Sequence, residues 1–253
     1  MPAKIIKYVK EYVVKSYEAD CHGFLRLLSL MNLLQDIACE NADFLGFGFA
    51  KCAEQNLAWV GSNYLLKINR MPKIDEHFTI ETWPSATKLW GGVRDFQIKD
   101  ADKNIIVAAI SQWVLIDVER RRPVILNKHF PQYTVLPERA IEGDFSKLEE
   151  VDKPDFVKEF CVRFDDIDVN NHANNAVYPL WASESVDSEF RLLHVPEELE
   201  ICFKKEALYG EDVVVYTQKT GLVTEHTVYA KGSKNVLADC KIKWRKITSE
   251  PLA

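Results

Sequence analysis

The chain has 253 residues, of which 47% are hydrophobic and 28% charged, enough for one large globular domain or two of ordinary size. A net charge of −6 argues against nucleic acid as the main partner. No stretch approaches the roughly 18 consecutive apolar residues of a membrane-spanning helix, so no membrane span is expected. The lysine-containing N-terminal segment lacks the apolar run of a signal peptide, which predicts a cytoplasmic protein.

The first half of the sequence predicts a strand, a long helix and then four strands. Apolar and polar residues alternate over Ile5–Tyr17, as is typical of a strand. Apolar residues cover most of a helical wheel from Leu27 to about Leu45, which predicts a helix buried nearly all round and ended by Gly46 and Gly48. The strands that follow are predicted at about 58–69, 77–84, 92–99 and 104–118.

The second half repeats this order. A strand is predicted over Phe156–Phe164 and a helix from Ala176 to about Leu193, with Pro179 tolerated in the first helical turn. The later strands are predicted near 199–205, 212–218, 224–230 and 236–247. A unit repeated along a whole chain indicates two copies of one fold.

Two local matches set the register of the repeat. V-K-S-Y-E-A-D, ending at Asp20, parallels V-R-F-D-D-I-D, ending at Asp168, an offset of 148 between positions 20 and 168. Further on, Glu76 parallels Glu211, an offset of 135 between positions 76 and 211. The first half therefore has 13 extra residues, the difference between the two offsets, which we place in G-F-G-F-A-K.

A single long helix wrapped by an antiparallel sheet is the hot-dog arrangement, in which two such domains ordinarily pair. We therefore predict an α+β chain with a tandem (double) hot-dog fold, each half having a long central helix wrapped by an antiparallel sheet. The charged, proline-containing segment Pro131–Pro154 shows no sustained periodicity and predicts a linker. The expected domains are residues 1–130 and 154–253, with residues 131–153 as the linker.

Polar residues are concentrated between the strand and the helix of the second half, in D-V-N-N-H-A-N-N from Asp168 to Asn175. Asp168, Asn170 and His172 recur at a spacing of two, which places three side chains on one face of an extended segment. Asn174 or Asn175 suits the N-cap of the helix. The amide groups at the start of that helix attract negative charge and would stabilise an oxyanion placed there. A polar loop alone explains the asparagines but not the spacing, so we expect a functional site.

With Trp181 and Glu184 following, this stretch resembles the motif of the plant-type fatty acyl-ACP thioesterases and their bacterial relatives. Weaker matches fall in the family's order in the first half: K-S-Y-E-A-D, L-M-N-L-L-Q-D-I-A, T-W-P-S and R-D-F. The resemblance covers almost the whole chain, and its specific part is D-x-N-x-H-x-N-N-x-x-Y. It implies hydrolysis of a fatty acyl thioester carried on acyl carrier protein. No nucleotide-binding motif and no His/Cys cluster at zinc spacing appear in the sequence, so no cofactor and no metal are expected.

The resemblance also implies four catalytic residues. Asp168, Asn170 and His172 match the motif directly, and Glu206 occupies the place of the family's glutamate, in the next strand within a basic run. Ala207 replaces the cysteine of many plant members, so a papain-like mechanism is not available. Glu206 would act on water as a general base, which we favour, or attack the thioester itself to form an anhydride. Asn170 would orient water or the carbonyl, His172 would bind the carbonyl or pass a proton, and Asp168 would orient Asn170 or His172.

The register predicts a single site, because Asp20 aligns with Asp168 while the other three positions change. His22 aligns with Asn170, Phe24 with His172 and Met71 with Glu206. The first half, with its apolar helix, is better suited to enclosing the acyl chain.

The implied partner is acyl carrier protein bearing a fatty acyl phosphopantetheine, and a homodimer is also considered. Because that carrier is acidic, a basic segment would meet it. The candidate basic residues are Arg120, Arg121, Arg122, Lys204, Lys205, Lys241, Lys243, Arg245 and Lys246. The alternatives are a hot-dog acyl-CoA thioesterase, a hot-dog hydratase, which would leave Glu206 idle, and a non-catalytic acyl-binding protein.

Overall fold

The computed structural model describes residues 7–233 and 235–247. Contacts divide the chain into two compact units, one formed by residues up to Leu25 with Asn32–Asp144, the other by Arg26–Met31 with the residues from Phe145 onward. Within the described ranges, no helix is long and apolar enough to cross a membrane.

The first half contains the predicted strand, the predicted long helix and the four predicted strands that follow it. Its strands are β1 (Tyr8–Val13), β2 (Leu57–Ile68), β3 (His77–Lys88), β4 (Gly91–Lys99), β5 (Ile105–Asp117) and the short β6 (Arg122–Pro123). Its helices are α1 (Leu27–Phe44), α2 (Phe49–Ala53) and α3 (Leu126–His129). The positions of the predicted first strand before Lys7 lie outside the described residues.

The sheet of the first unit is antiparallel, in the order β1-β3-β4-β5-β2, with β6 beside β5. Gly91 begins β4 where the backbone of β5 comes very close. A Cβ atom at this position would lie 1.8 Å from the carbonyl oxygen of Trp113. A glycine is therefore required at this point of the sheet.

Helix α1 buries an apolar face that includes Leu30, Leu34 and Ile37. The expectation that it is buried nearly all round is wrong, because one stripe is exposed. The stripe consists of Asn32, Asp36, Cys39 and Asp43. Their spacing of three and four residues places them on one side of the helix.

The second half contains β7 (Phe156–Cys161), β8 (His194–Phe203), β9 (Asp212–Thr220), β10 (Val223–Ala230) and β11 (Val236–Lys246), with helices α4 (Val177–Glu184) and α5 (Ser188–Leu193). Its sheet is antiparallel in the order β8-β11-β10-β9-β7, and α4 packs against β9, β10 and β11. These elements confirm the α+β class and the repeat of the hot-dog arrangement.

The single long helix predicted for the second half is broken into two. Asp187 has an extended backbone, and its carboxylate accepts the N–H of Phe190 at 2.7 Å, the bond of an N-cap. Just before it, the hydroxyl of Ser185 donates to the carbonyl of Ala182 at 2.7 Å and ends α4. Pro179 lies in the first turn of α4, as predicted.

A buried polar cluster lies beside this break. The Nδ1 atom of His226 is 2.8 Å from the hydroxyl of Thr217, which is itself 2.6 Å from the hydroxyl of Ser185. On the other side of the ring, Nε2 is 2.7 Å from the hydroxyl of Thr224, which also accepts the indole N–H of Trp244. All five side chains are buried, and burial lowers the pKa of His226 to about 3.

Residues 131–153 contain no helix or strand, yet they form hydrogen bonds with side chains of the sheet strands at several points. The N–H of Ala140 donates to the buried carboxylate of Asp95 at 2.6 Å in the first unit. In the second unit, the hydroxyl of Ser146 donates to Glu200 at 2.5 Å, and the N–H of Val151 donates to the hydroxyl of Thr227 at 2.9 Å. The segment is therefore ordered, with its earlier part bonded to the first unit and its later part bonded within the second unit.

Candidate active site

The polar stretch of the second half forms a tight loop between a 3-10 turn, Phe164–Asp166, and α4. The N–H of Asp168 donates to the carbonyl of His172 at 2.9 Å, and the N–H of Asn171 donates back to the carbonyl of Asp168 at 3.0 Å. Asn171 has a φ of 63°, in the left-handed region that asparagine tolerates better than most residues. The expectation of an extended segment with three side chains on one face is therefore wrong.

Within this loop, Asp168 holds Asn170 by two hydrogen bonds. One carboxylate oxygen accepts the backbone N–H of Asn170 at 2.8 Å, and the other accepts its side-chain amide at 3.3 Å. Asn170 is exposed, whereas Asp168 is half-buried. Asp168 therefore fixes both the loop and the direction of the Asn170 carboxamide.

His172 and Glu206 form the second contact of the site. The Nε2 atom of His172 is 3.2 Å from Oε2 of Glu206, and the two side chains are 27% and 37% exposed, so water can reach both. Glu206 was expected on a strand, but it lies in the loop after β8, which ends at Phe203. The N–H of Ala173 donates to the carbonyl of Ala207 at 2.8 Å, which fastens the two loops together next to this contact.

The structure thus brings all four predicted residues into the second unit as two contacting pairs, Asp168 with Asn170 and His172 with Glu206. The pairs are linked through the backbone bond between Asp168 and His172. Among residues 7–233 and 235–247, no three His, Cys, Asp or Glu side chains are grouped as a metal site requires.

Tyr178 belongs to the site, although no role was predicted for it beyond its place in the motif. Its hydroxyl accepts the N–H of Ala207 at 3.0 Å and donates to the carbonyl of Lys205 at 3.4 Å. These two peptide groups flank Glu206. The side chain is 2% exposed, and burial raises the pKa of its hydroxyl. The signal in the sequence was the final tyrosine of the motif, which is the second residue of the buried helix α4.

The start of α4 differs from the expected oxyanion site. The carboxamide oxygen of Asn174 accepts the N–H of Ala176 at 2.9 Å, and the carbonyl of Asn174 accepts the N–H of Val177 at 2.9 Å. The N-cap itself is Ala176, not Asn174 or Asn175. Because Pro179 has no N–H, few amide donors at this helix start remain for a substrate oxygen.

The first unit contains the same loop in backbone form. The N–H of Asp20 donates to the carbonyl of Phe24 at 2.8 Å, and the carboxylate of Asp20 accepts the N–H of His22 at 2.9 Å. Gly23, at φ 75°, stands where Asn171 stands in the second unit. The N–H of Leu25 donates to the carbonyl of Pro72, as Ala173 donates to Ala207. These bonds confirm both offsets of the predicted register.

The side chains of the two loops differ. His22, Phe24 and Met71 occupy the positions of Asn170, His172 and Glu206, and Met71 is buried. The first unit therefore keeps the backbone geometry and the aspartate but not the other three polar groups.

Two copies of one helix-and-sheet unit, with the polar groups confined to the second, define a tandem hot-dog protein with one candidate site for each chain. Residues 6–132 match the acyl-ACP thioesterase N-terminal domain and residues 149–246 match the acyl-ACP thioesterase C-terminal domain. The chain belongs to the acyl-ACP thioesterase family.

Relatives of known name agree with this assignment. The chain is 28% identical over 225 residues to oleoyl-acyl carrier protein thioesterase 2, chloroplastic, of Arabidopsis thaliana, which covers 82% of this chain and 61% of that protein. It is 27% identical to oleoyl-acyl carrier protein thioesterase, chloroplastic, of Coriandrum sativum, over 89% of this chain and 66% of that protein. The chain thus spans less than two thirds of these relatives' length.

Solved structures show the same fold. An acyl-ACP thioesterase from Bacteroides thetaiotaomicron superposes with a TM-score of 0.86 at 23% identity, covering 94% of this chain and 98% of that one. The 12:0-ACP thioesterase from Umbellularia californica superposes with a TM-score of 0.85 at 22% identity, covering 95% of this chain and 98% of that one. At these identities the likeness establishes the tandem hot-dog fold.

Proposed function

We propose that this chain hydrolyses the thioester of a fatty acyl group on acyl carrier protein, releasing the free fatty acid and the holo carrier. The observation that supports this most directly is the contact between His172 and Glu206, next to the loop held by Asp168, in a chain of this family. In the reaction, water adds its oxygen to the thioester carbonyl, the carbon–sulfur bond breaks, and the departing thiolate takes up a proton.

In this proposal Glu206 is the general base. Its carboxylate is open enough to meet a water molecule, and it would take one proton as the water attacks the carbonyl carbon. His172, at 3.2 Å, would orient that carboxylate or pass the proton on to the sulfur. Asn170, held by Asp168, would bind the carbonyl oxygen or the water. Asp168 acts through Asn170 and does not itself need to touch the substrate.

The same contact also fits a covalent route, in which Glu206 attacks the carbonyl and forms an anhydride that water then opens. One turnover in oxygen-labelled water tests for an anhydride that water opens at the Glu206 carbon, which leaves label in Glu206 and unlabelled oxygen in the acid. Label confined to the fatty acid is expected both for direct attack by water and for an anhydride opened at the acyl carbon. Mass spectrometry of the enzyme quenched during turnover separates these two, because only the covalent route adds an acyl group to Glu206.

The base assignment is tested by Glu206→Gln, which keeps the shape of the side chain but removes its ability to accept a proton. A general base contributes about 10²–10⁴-fold, so we expect kcat to fall by that order while the protein stays folded. Glu225→Gln is the matched control, because Glu225 is an exposed carboxylate 3.1 Å from Lys241. If Glu206→Gln behaves like Glu225→Gln, Glu206 is only a surface carboxylate and the assignment fails.

The carrier is tested by comparing kcat/KM for acyl-ACP and acyl-CoA with the same acyl group. We expect acyl-ACP to be hydrolysed well above acyl-CoA, and added salt to lower kcat/KM for acyl-ACP if surface charges steer the encounter. Equal values for the two carriers would favour an acyl-CoA thioesterase. Binding of both without turnover would favour a non-catalytic acyl-binding protein.

The basic segments differ in how much charge they keep for an acidic carrier. Lys204, Lys241 and Lys243 each lie within 3.5 Å of a carboxylate, which compensates their charge. Lys205 is exposed and donates to a neutral group, the side-chain carbonyl of Asn235, at 2.5 Å. Among these four lysines, Lys205, adjacent to Glu206, is the one we propose to meet the carrier.

We further propose that the domain of residues 1–130 encloses the acyl chain, and that the domain of residues 154–253 performs the chemistry. The basis is the loss of the polar groups from the first loop together with the apolar face of α1. A cytoplasmic location and a homodimer stay predictions, which cell fractionation and sedimentation would check.

A further inference from the structure

A buried hydroxyl holds the backbone on both sides of Glu206. The hydroxyl of Tyr178 receives the N–H of Ala207, the residue after Glu206, and donates to the carbonyl of Lys205, the residue before it. Hydrogen bonds to both neighbours limit rotation of the backbone that carries the carboxylate. Glu206 lies in the loop after β8, where the N–H of Lys205 also donates to the carbonyl of Leu237 on β11 at 3.1 Å, so the tyrosine bonds add to this attachment on the side of Ala207.

The ring of Tyr178 is fixed in turn by aromatic neighbours. Its centroid lies 5.1 Å from that of Trp181 on the same helix and 5.6 Å from that of Phe203 at the end of β8, both in edge-to-face orientations. The hydroxyl therefore has a defined position relative to α4 and β8. It connects the helix that follows the His172 loop to the loop that holds Glu206.

The first half of the chain provides an internal comparison. By the register of the repeat, Leu30 stands in the position of Tyr178, Met71 in that of Glu206 and Pro72 in that of Ala207. Leucine has no hydroxyl and proline has no N–H, so neither partner of the hydroxyl–amide bond is present. The carbonyl of Pro72 still accepts the N–H of Leu25, as Ala207 accepts that of Ala173. The fold thus keeps the loop without the tyrosine bond where the glutamate is absent.

We propose that Tyr178 is the positioning residue for Glu206, and that its hydroxyl keeps the carboxylate at the 3.2 Å contact with His172. This inference rests on the proposed role of Glu206 as the base. Tyr178 does not exchange protons with the substrate. Its hydroxyl is buried, is already engaged by two backbone groups, and has a pKa raised by burial and by Glu206. It acts through the backbone that carries Glu206.

The test is Tyr178→Phe, which removes the hydroxyl and leaves the packed ring. A hydrogen bond of this kind changes an equilibrium by about tenfold, so we expect kcat for acyl-ACP to fall about tenfold with KM unchanged. The decisive measurement repeats the change in a Glu206→Gln background. A residue that acts through Glu206 has little left to act on there, so Tyr178→Phe should lower the residual rate less than about twofold.

Thr227→Val is the matched control for lost stability. The hydroxyl of Thr227 is also buried, lies in the same unit, and accepts a backbone N–H, that of Val151, at 2.9 Å. It should lower the unfolding temperature as Tyr178→Phe does but leave kcat of the folded protein unchanged. The inference is overturned if Tyr178→Phe keeps full kcat, or if it lowers the rate equally with and without Glu206. If Glu206→Gln alone keeps full activity, the base assignment has failed, and the inference fails with it.

Discussion

The buried histidine of the second unit should make stability depend on pH in a way that one substitution can isolate. His226 is 1% exposed, and its ring nitrogens meet only the hydroxyls of Ser185, Thr217 and Thr224 among the described residues. These partners are neutral and do not compensate a positive charge. Protonation of the ring in the folded chain is therefore opposed by burial, which lowers its pKa to about 3.

The size of the effect follows from the difference between the folded and unfolded pKa. In the unfolded chain a histidine titrates near pH 6.5, so between about pH 6.5 and 3 the unfolded state binds more protons. The contribution of neutral His226 is then complete above about pH 6.5 and is lost as the pH falls, by about 1.4 kcal/mol for each pH unit. At about pH 4.5 the loss reaches about 3 kcal/mol, a large part of the stability of an ordinary domain.

The assay is urea unfolding of the parent chain and of His226→Gln at about pH 7.5 and about pH 4.5. The variant should be less stable at the higher pH, because it breaks the buried cluster. That deficit should shrink by about 3 kcal/mol at the lower pH, because the variant no longer has an imidazole to protonate. His77→Gln is the control, since His77 is exposed on β3 and should show no such change. Parallel loss of stability in the parent and in His226→Gln would refute the reasoning.

Substitutions at three further positions test other features. Asn171→Gly should keep the unfolding temperature, while Asn171→Val should lower stability by about 1–2 kcal/mol because of the left-handed φ of 63°; equal effects would contradict this. Gly91→Ala should cost more than about 2 kcal/mol by thermal unfolding, since its Cβ would meet a β5 carbonyl at 1.8 Å, and a neutral result would refute the close approach. Leu34→Ala should cost about 2–5 kcal/mol and change the chain lengths of the released fatty acids, and an unchanged product profile would argue against the proposed acyl pocket.

The sequence predicted the elements whose signal is periodic. The alternating H-F-T-I-E-T became the first half of β3, and the apolar run from Leu27 became α1. The exposed stripe of α1 could have been found as well, because Asn32, Asp36 and Asp43 recur at helical spacing among the apolar residues. The register of the repeat was also within reach, since it needed only two short matches.

The apolar pattern of the sequence did not predict the break between α4 and α5. Apolar residues continue through Val186, so the periodicity gives no sign of an end. The break comes from a local competition, in which the carboxylate of Asp187 begins a new helix by accepting the N–H of Phe190. A short polar residue inside an apolar helical pattern was the signal, but its effect depends on local geometry that a pattern does not contain.

For the site, too, the sequence predicted which residues take part but not how they are arranged. Residue types and order were enough to select Asp168, Asn170, His172 and Glu206, but not to pair them. The contact between His172 and Glu206 depends on a bond between Ala173 and Ala207, which are far apart in sequence. The tight turn depends on the Asp168 carboxylate folding back on its own backbone, a choice that competes with the extended form.

The two loops that share one hydrogen-bond pattern separate the requirements of folding from those of reactivity. The Asp20 loop shows that this turn forms with His22, Phe24 and Met71 in place of the reactive groups, so replacing Asn170, His172 or Glu206 should leave the turn intact. Asp20 and Asp168 are the exception, because each closes its own turn. For an engineer, His22→Asn and Phe24→His in the Asp20 loop, with Met71→Glu and Pro72→Ala in the segment after β2, would transplant the polar groups of the second unit onto a backbone already bent to receive them.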